Sequence, residues 1–237
     1  MAEYKKYKLT GKKEEGKGIY TFVFKPMEGK VPSYKPGQFF VLKNINMPSE
    51  IKHNFRSYSC LHPHNEEEIS FGIKVHGEFT TALNKLKEED VVDLSGPYGM
   101  FLLPEKIDTP IIFLGGGCGI TPILCMVEYL HSVKHNKKYY LLYSARHANE
   151  FAYKKKLDEM AKKDDNFEIA YTITRGDAPA GWCEEIGRID IGMIKVKCLV
   201  QKDACYYMCG PKMFVQCITG QLIGAGVGKE NIHAEKW

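Results

Sequence analysis

A strand buried on both faces, followed at once by a glycine-rich turn, is the feature that most constrains the fold of this chain. Residues 111–114 form a continuous apolar run without polar alternation, which is typical of a central strand in a parallel sheet. Glycine occupies positions 115, 116, 117 and 119, and a helical pattern covers 120–131. Strand, tight turn and helix in this order predict the first unit of an α/β sheet.

The rest of the second half repeats the alternation of strand and helix. Further strands are predicted at 139–143, 169–174 and 205–208, and further helices at 151–162 and 213–223. Alternation of this kind predicts a doubly wound parallel sheet. The pattern begins after the proline-bounded stretch 104–110, so we expect an α/β nucleotide-binding domain over residues 106–237.

The first half has a different pattern. Strands rich in aromatic and β-branched residues are predicted at 19–24, 38–42, 56–60, 69–75 and 91–94, with one short helix at 80–86 capped by Thr80. Glycine, proline and asparagine separate these strands at close spacing, which is typical of a small antiparallel barrel or sandwich. We therefore predict an antiparallel β-barrel domain over residues 1–105, followed by the α/β domain.

Composition excludes several classes of protein. The 237 residues, 44% of them hydrophobic, are enough to build two ordinary globular cores. The net charge of +4 comes without basic runs interleaved with aromatics, so no nucleic-acid partner is expected. No apolar stretch approaches the roughly 20 residues of a membrane span, and residues 1–6 lack the apolar core of a signal peptide. We expect a cytoplasmic protein without a membrane span.

Cysteine and histidine spacing does not predict a metal site. The eight cysteines contain no Cys-x-x-Cys pair, which is the usual spacing in zinc and iron–sulfur sites. His62 and His64 have no carboxylate or thiol at ligand spacing beside them. Reduced thiols that pack as small hydrophobes are expected instead.

The glycine-rich turn has the properties of a phosphate site. Glycines let backbone N–H groups approach a ligand closely, and the N-terminus of the following helix attracts an anion. Residues 117–122 read G-x-G-x-x-P, not the G-x-G-x-x-G of the usual dinucleotide fold, and Pro122 suits the first turn of a helix. A purely structural turn is the alternative.

A second cluster of binding residues stands at 56–59 in the first half. Arg56 can bind a phosphate through its guanidinium, Tyr58 can stack on a flat ring, and Ser59 can donate a hydrogen bond. Residues 77–80 open the short helix and offer a position for a diphosphate. Alone, residues 56–59 also fit an ordinary strand, but two phosphate-suited elements in one domain favour a ligand site.

These motifs, together with Cys209-Gly210-Pro211, resemble those of the ferredoxin–NADP⁺ reductase superfamily, in particular its oxygenase reductases and flavodoxin reductases, over nearly the whole chain. The resemblance implies bound FAD rather than the FMN of a minority of the family. Arg56 would bind the flavin phosphate, Tyr58 would stack on the isoalloxazine, and Ser59 would hydrogen-bond its redox-active edge. The full flavin set is Arg56, Ser57, Tyr58, Ser59, Ile73, Lys74, Val75, Gly77, Phe79, Thr80 and Thr81.

The resemblance assigns a pyridine nucleotide to a second set of residues. Cys209 would lie beside the reactive carbon of the nicotinamide and position it, without acid–base or nucleophilic work. Cys118 departs from the family pattern, in which that position is a small residue or threonine. The full nucleotide set is Gly117, Gly119, Thr121, Pro122, Ser144, Arg146, Arg175, Cys209, Gly210, Pro211 and Met213.

The ends of two predicted strands bear on the choice of nucleotide. Ser144 and Arg146 follow one strand and Arg175 follows the next. A ribose 2′-phosphate calls for such residues, whereas a bare ribose usually meets an acid, and the nearest acid is Glu150. The pattern favours NADPH, although NADH stays open.

The last residue, Trp237, has two interpretations. Several members of the superfamily end in an aromatic residue that covers the flavin face opposite the tyrosine. Under that interpretation, removal of Trp237 should tighten the binding of NAD⁺ or NADP⁺. A frayed, exposed terminus is the alternative.

The resemblance implies an NAD(P)H-dependent flavin oxidoreductase with Ser59 and Cys209 at its catalytic centre. Its electrons would pass to a separate ferredoxin, flavodoxin or oxygenase component. A reductase of free flavin and a non-catalytic electron-transfer subunit of a larger complex are alternatives. A flavin-free dehydrogenase is a third, disfavoured by the missing third glycine and by the preceding β-domain.

Overall fold

The structure is a computed structural model that describes residues 3–43, 54–176, 178–198 and 203–236. Its first six strands are β1 (Lys5–Gly16), β2 (Ile19–Pro26), β3 (Phe39–Lys43), β4 (Phe55–Ser59), β5 (Ile69–Lys74) and β6 (Val91–Tyr98). All neighbours are antiparallel, in the order β4-β3-β6-β1-β2-β5. A bridge between Cys60 and Phe71 brings the two sheet edges together. The prediction of an antiparallel barrel is confirmed.

Strand β1 is missed by the sequence pattern. Lysine and glutamate dominate it, and only Tyr7 and Leu9 of its twelve residues are buried. It nevertheless lies in the middle of the sheet, where it pairs with β2 and β6. Backbone pairing, rather than a continuous apolar face, therefore defines this strand.

The second sheet is parallel, as predicted. Its strands are β7 (Ile111–Gly116), β8 (Tyr139–Ala145), β9 (Phe167–Ile173), β10 (Glu185–Ile186), β11 (Cys205–Gly210) and β12 (Ile232–Lys236). They follow the order β10-β9-β8-β7-β11-β12. From β7 the chain adds β8, β9 and β10 on one side, and it then adds β11 and β12 on the other side of β7. Ligands bind at such a switch point in open α/β sheets.

Helices cover both faces of the parallel sheet and one end of the barrel. They are α1 (Glu78–Asn84), α2 (Ile120–Ser132), α3 (Lys154–Lys163), α4 (Ile191–Cys198) and α5 (Lys212–Gly224). Two separate apolar clusters fill the space on the two faces of the sheet. The sequence pattern does not predict α4, β10 or β12, because these elements are short or polar.

Helix α2 is buried nearly all round because the barrel covers the face that the sheet leaves open. Thr121 Oγ1 at its start donates a hydrogen bond to the carbonyl oxygen of Gly72 in β5, at 3.3 Å. Nearby, the buried hydroxyls of Thr21 and Tyr153 lie 3.1 Å apart across the same boundary. These contacts fix the end of β5 against the glycine-rich turn.

No helix in the part of the chain that the structure describes is long and apolar enough to cross a bilayer.

Candidate functional site

A groove of about 250 Å³ opens on the barrel where the outer strand β4 faces the turn into α1. The Arg56 guanidinium lies 5.3 Å from the centre of the Phe79 ring, and the Tyr58 ring centre lies 6.4 Å from the same ring. The fold thus brings together the two segments that the sequence marks as phosphate-suited. The lining residues are Arg56, Ser57, Tyr58, His76, Gly77, Glu78, Phe79 and Thr80.

The Tyr58 hydroxyl is the strongest sign that this groove holds a ligand. Its oxygen is buried and has no hydrogen-bond partner among the described residues. Burial also raises the pKa of Tyr58, so the hydroxyl stays protonated and available as a donor. A buried hydroxyl without a partner destabilises a folded protein, and a bound polar group removes that cost. The groove therefore fits a cofactor that combines a flat ring with polar substituents.

The turn before α1 differs from the sequence prediction. The helix begins at Glu78, not at Thr80, and Thr80 is not its N-cap. The Thr80 hydroxyl accepts a hydrogen bond from His76 N at 2.6 Å and donates one to His76 O at 2.8 Å. Thr80 therefore holds the turn together, and Gly77, with φ of +82°, supplies its left-handed residue. Glu78 adds a carboxylate to the groove, so Arg56 is needed to offset it if a diphosphate binds there.

The predicted flavin residues at the end of β5 divide into two kinds. Ile73 is 1% exposed in the barrel core, so its side chain does not face the groove and only its backbone is available to a ligand. Lys74 and Val75 are partly exposed, and Val75 N donates a hydrogen bond to Gly18 O at 2.8 Å. Thr81 is exposed on α1.

The glycine-rich turn is held directly against the end of β11. Strand β7 ends at Gly116, a single 3₁₀ turn covers Gly117–Gly119, and α2 follows. Gly117 has φ of +57° and faces open space. A Cβ atom at Gly119 would lie 2.1 Å from the carbonyl oxygen of Cys209. The absence of a side chain at Gly119 is what lets the turn approach Cys209.

Thr121 and Pro122, in the first turn of α2, are surrounded by protein rather than by solvent. Thr121 is 4% exposed, and its single hydroxyl hydrogen is shared between Gly72 O at 3.3 Å and Cys118 O at 3.0 Å. Pro122 is buried in the first turn of α2. The Thr121 side chain therefore packs the two domains together. Gly119 is buried against Cys209, and Gly117 is the partly exposed glycine of the turn.

Replacing Gly119 with alanine is expected to lower the free energy of unfolding by about 2 kcal/mol, because the added methyl group overlaps backbone atoms of Cys209. Gly220 on α5 is the matched control, since no atom of the described residues lies within 4 Å of a Cβ there. Gly220→Ala should be neutral or stabilising by about 0.5–1 kcal/mol. Chemical denaturation of both variants measures the difference, and equal midpoints would contradict the close approach.

Three side chains from different elements meet where the barrel adjoins the parallel sheet. Ser59 Oγ at the end of β4 donates to Glu235 Oε2 in β12 at 3.4 Å. Glu235 stands beside Cys209 in the pairing of β12 with β11. Cys209 is 2% exposed. Its burial raises the pKa of its thiol, and the nearby Glu235 carboxylate raises this pKa further, by a smaller amount. Burial also raises the pKa of Glu235.

Glu235 is a candidate functional residue that the sequence interpretation misses. No local motif marks it, because only the parallel pairing of β11 with β12 brings it next to Cys209. Trp237, two residues later, lies outside the described residues, so its predicted stacking stays a prediction. Gly210 is buried next to Cys209, Pro211 precedes α5, and Met213 on the first turn of α5 is 74% exposed.

The predicted ribose residues lie at the carboxyl ends of β8 and β9. Ser144 is buried in β8, at 7% exposure, whereas Arg146 and Arg175 are both exposed. Arg175 N donates a hydrogen bond to Arg146 O at 3.0 Å, so the two residues are neighbours. The structure thus places two exposed arginines next to each other along the backbone, at the carboxyl-terminal edge of the sheet.

Comparison with known families agrees with this arrangement. The family model for the oxidoreductase FAD-binding domain matches residues 6–102, and that for the oxidoreductase NAD-binding domain matches residues 113–219. The chain therefore belongs to the oxidoreductases that combine an FAD-binding domain with an NAD-binding domain.

Similar proteins include longer chains that also carry haem. A flavohemoprotein of Oceanobacillus iheyensis is 26% identical over 240 residues, which cover 98% of this chain and 58% of the relative. The FAD/NAD-binding domain of a nitric oxide dioxygenase from Vibrio cholerae superposes with a TM-score of 0.88 and 23% identity over 98% of both chains. A flavohemoglobin from Malassezia yamatoensis with bound FAD and heme gives 0.85 and 25%, over all of this chain and 60% of that one. This chain thus spans about three fifths of its flavohemoprotein and flavohemoglobin relatives.

Proposed function

We propose that this protein is an NAD(P)H-dependent flavin oxidoreductase, which takes a hydride from the nicotinamide onto bound FAD and passes electrons to a separate acceptor. The acceptor classes proposed are a ferredoxin, a flavodoxin or an oxygenase component. The observation that carries the proposal is the meeting of Ser59 with Glu235 beside Cys209. A ring held in the barrel groove and a nucleotide held on the glycine-rich turn would approach each other at this point.

The roles of the cofactor and of the residues around it follow from the chemistry of each group. Bound FAD supplies the capacity to accept a hydride and to release electrons singly or in pairs. Arg56 offsets phosphate charge, and the Tyr58 hydroxyl donates a hydrogen bond to the ligand. Burial keeps the Cys209 thiol protonated, so it fills space beside the nicotinamide without placing a second negative charge next to Glu235.

Glu235→Gln is expected to slow flavin reduction by NADPH about tenfold, a loss of roughly 1.4 kcal/mol of transition-state stabilisation. The nicotinamide becomes positive as it gives up hydride, and a carboxylate beside it stabilises that charge. Because burial raises the pKa of Glu235, its ionisation falls above the usual carboxyl range. The reduction rate should therefore rise with pH through that ionisation, and this step should vanish in the glutamine variant. A pH profile unchanged by the substitution would refute the role.

The proposed activity is tested by steady-state turnover. FAD-loaded protein should oxidise NADPH or NADH with ferricyanide as acceptor, and the rate should fall to background when the flavin is removed and return when FAD is restored. Flavin-independent turnover would instead support a simple dehydrogenase.

A haem protein is a second candidate acceptor, favoured by the flavohemoprotein relatives and by the haem that the Malassezia flavohemoglobin binds. We propose cytochrome c and a ferric globin as probes, against a ferredoxin and a flavodoxin under the same conditions. Faster reduction of the haem proteins would support this candidate, and preferential reduction of free FAD would support a free-flavin reductase.

A further inference from the structure

Glu150 links the two domains through a carboxylate oxygen that two cations share. Glu150 Oε2 lies 3.9 Å from Lys74 Nζ at the end of β5 and 3.7 Å from Arg146 Nε just after β8. The Glu150 side chain is 15% exposed, whereas that of Arg146 is 51% exposed. A shielded carboxylate thus holds one end of an exposed arginine that stands among the proposed nucleotide residues.

The backbone around Glu150 is fixed by the barrel. Lys17 N donates a hydrogen bond to Asn149 O at 2.9 Å, and Glu150 N donates to His147 O at 3.0 Å. At Gly16, a Cβ atom would lie 3.0 Å from Ala152 N, so the segment packs closely on the turn between β1 and β2. The backbone that carries the Glu150 side chain is therefore held in a defined position against the barrel.

The ion pair leaves Arg146 able to bind a second anion. The contact is made through Nε, and the terminal nitrogens of a guanidinium carry further N–H donors that fit a phosphate. Arg175 is the backbone neighbour of Arg146 and is also exposed. Because binding a phosphate costs the rotamer entropy of a long side chain, holding Arg146 in place beforehand reduces that cost.

The charge of Glu150 raises an opposing possibility. A lone acid near a ribose repels a 2′-phosphate and favours the 2′-hydroxyl of NADH. Here Lys74 and Arg146 both lie within 4 Å of the carboxylate and offset its charge. The geometry therefore favours orientation of Arg146 over repulsion of the phosphate.

We propose that Glu150 is a positioning residue that orients Arg146 toward the 2′-phosphate of NADPH, and so contributes to a preference for NADPH over NADH. The inference rests on the proposed nucleotide site. Lys74 anchors the carboxylate from the barrel, so this preference depends on contact between the two domains.

The test compares 2′,5′-ADP with 5′-AMP, which lacks the 2′-phosphate, by calorimetric titration of FAD-loaded protein. Wild type should bind 2′,5′-ADP more tightly. Glu150→Gln should weaken 2′,5′-ADP about fivefold, the effect of one partly exposed ion pair, and leave 5′-AMP unchanged. The control Glu168→Gln removes the carboxylate that pairs with Lys138 at 2.9 Å elsewhere in the sheet, and should change neither affinity.

A double variant shows whether Glu150 acts through Arg146. In an Arg146→Ala protein, adding Glu150→Gln should have no further effect on 2′,5′-ADP. Unchanged or tighter binding of 2′,5′-ADP by Glu150→Gln would overturn the inference, as would an equal loss for 5′-AMP. The inference would also be overturned if the wild-type protein bound 2′,5′-ADP no more tightly than 5′-AMP. The proposed function is tested separately, by flavin reduction with NADH or NADPH.

Discussion

Replacing Cys209 with alanine is expected to slow flavin reduction by NADPH about 100-fold, the cost of misplacing reacting atoms by about 1 Å. Cys209 is 2% exposed and lies against the glycine-rich turn, where its carbonyl approaches Gly119. Alanine removes the sulfur that would support the nicotinamide, and the ring can then settle away from the flavin. FAD should stay bound, because the barrel groove is formed by other residues.

Cys198 provides the matched control for this variant. It is also a buried cysteine of the α/β domain, 3% exposed, but it belongs to α4 in the apolar cluster on one face of the sheet. Cys198→Ala should leave the rate of flavin reduction unchanged. Single-turnover mixing measures both variants, and a Cys209→Ala protein that reduces its flavin at the control rate would refute the positional role.

Replacing Arg56 with alanine is expected to weaken FAD binding about 100-fold, as for the loss of a charge-assisted contact with phosphate worth roughly 2–3 kcal/mol. The groove also contains the Glu78 carboxylate, which would then face the cofactor phosphates without the guanidinium to offset it. Hydride transfer in the fraction that keeps its flavin should be little changed.

Arg188, an exposed arginine before α4, is the control for the loss of a positive charge outside the groove. Arg188→Ala should retain FAD as wild type does. Flavin retention after dialysis and fluorescence titration of the apoprotein give the two affinities. If Cys209→Ala and Arg56→Ala both lost only flavin, the division into a flavin site and a nucleotide site would be wrong.

The parts of this structure that can be predicted from the sequence are those marked by a pattern in consecutive residues. The apolar run before the glycines specifies β7, the glycines specify the turn, and the alternation that follows specifies the parallel sheet. Residues 56–59 lie on one strand and residues 77–80 open one helix, so each motif is legible without the rest of the fold. They meet in one groove because the bridge between Cys60 and Phe71 brings β4 next to β5, which leads into the turn before α1.

Two of the three contacts that sequence reasoning did not predict, those of Thr121 and Glu235, join distant segments of the chain. Thr121 stands at the expected position, but the barrel packs there and takes its hydroxyl to Gly72. Thr80 bonds back to His76 rather than capping a helix that starts two residues earlier. Glu235 reaches Cys209 only through the pairing of a polar edge strand. The contacts of Thr121 and Glu235 have no local pattern in the sequence, whereas the contact of Thr80 is local and the error there concerned the start of the helix.

Anaerobic rapid mixing of the FAD-loaded protein with NADPH, and separately with NADH, measures through the flavin absorbance whether a pyridine nucleotide reduces the bound flavin. We expect rapid bleaching by hydride transfer, faster with NADPH because of the two arginines at the strand ends. A protein that retains FAD and is bleached by neither nucleotide would not be an NAD(P)H-dependent flavin oxidoreductase.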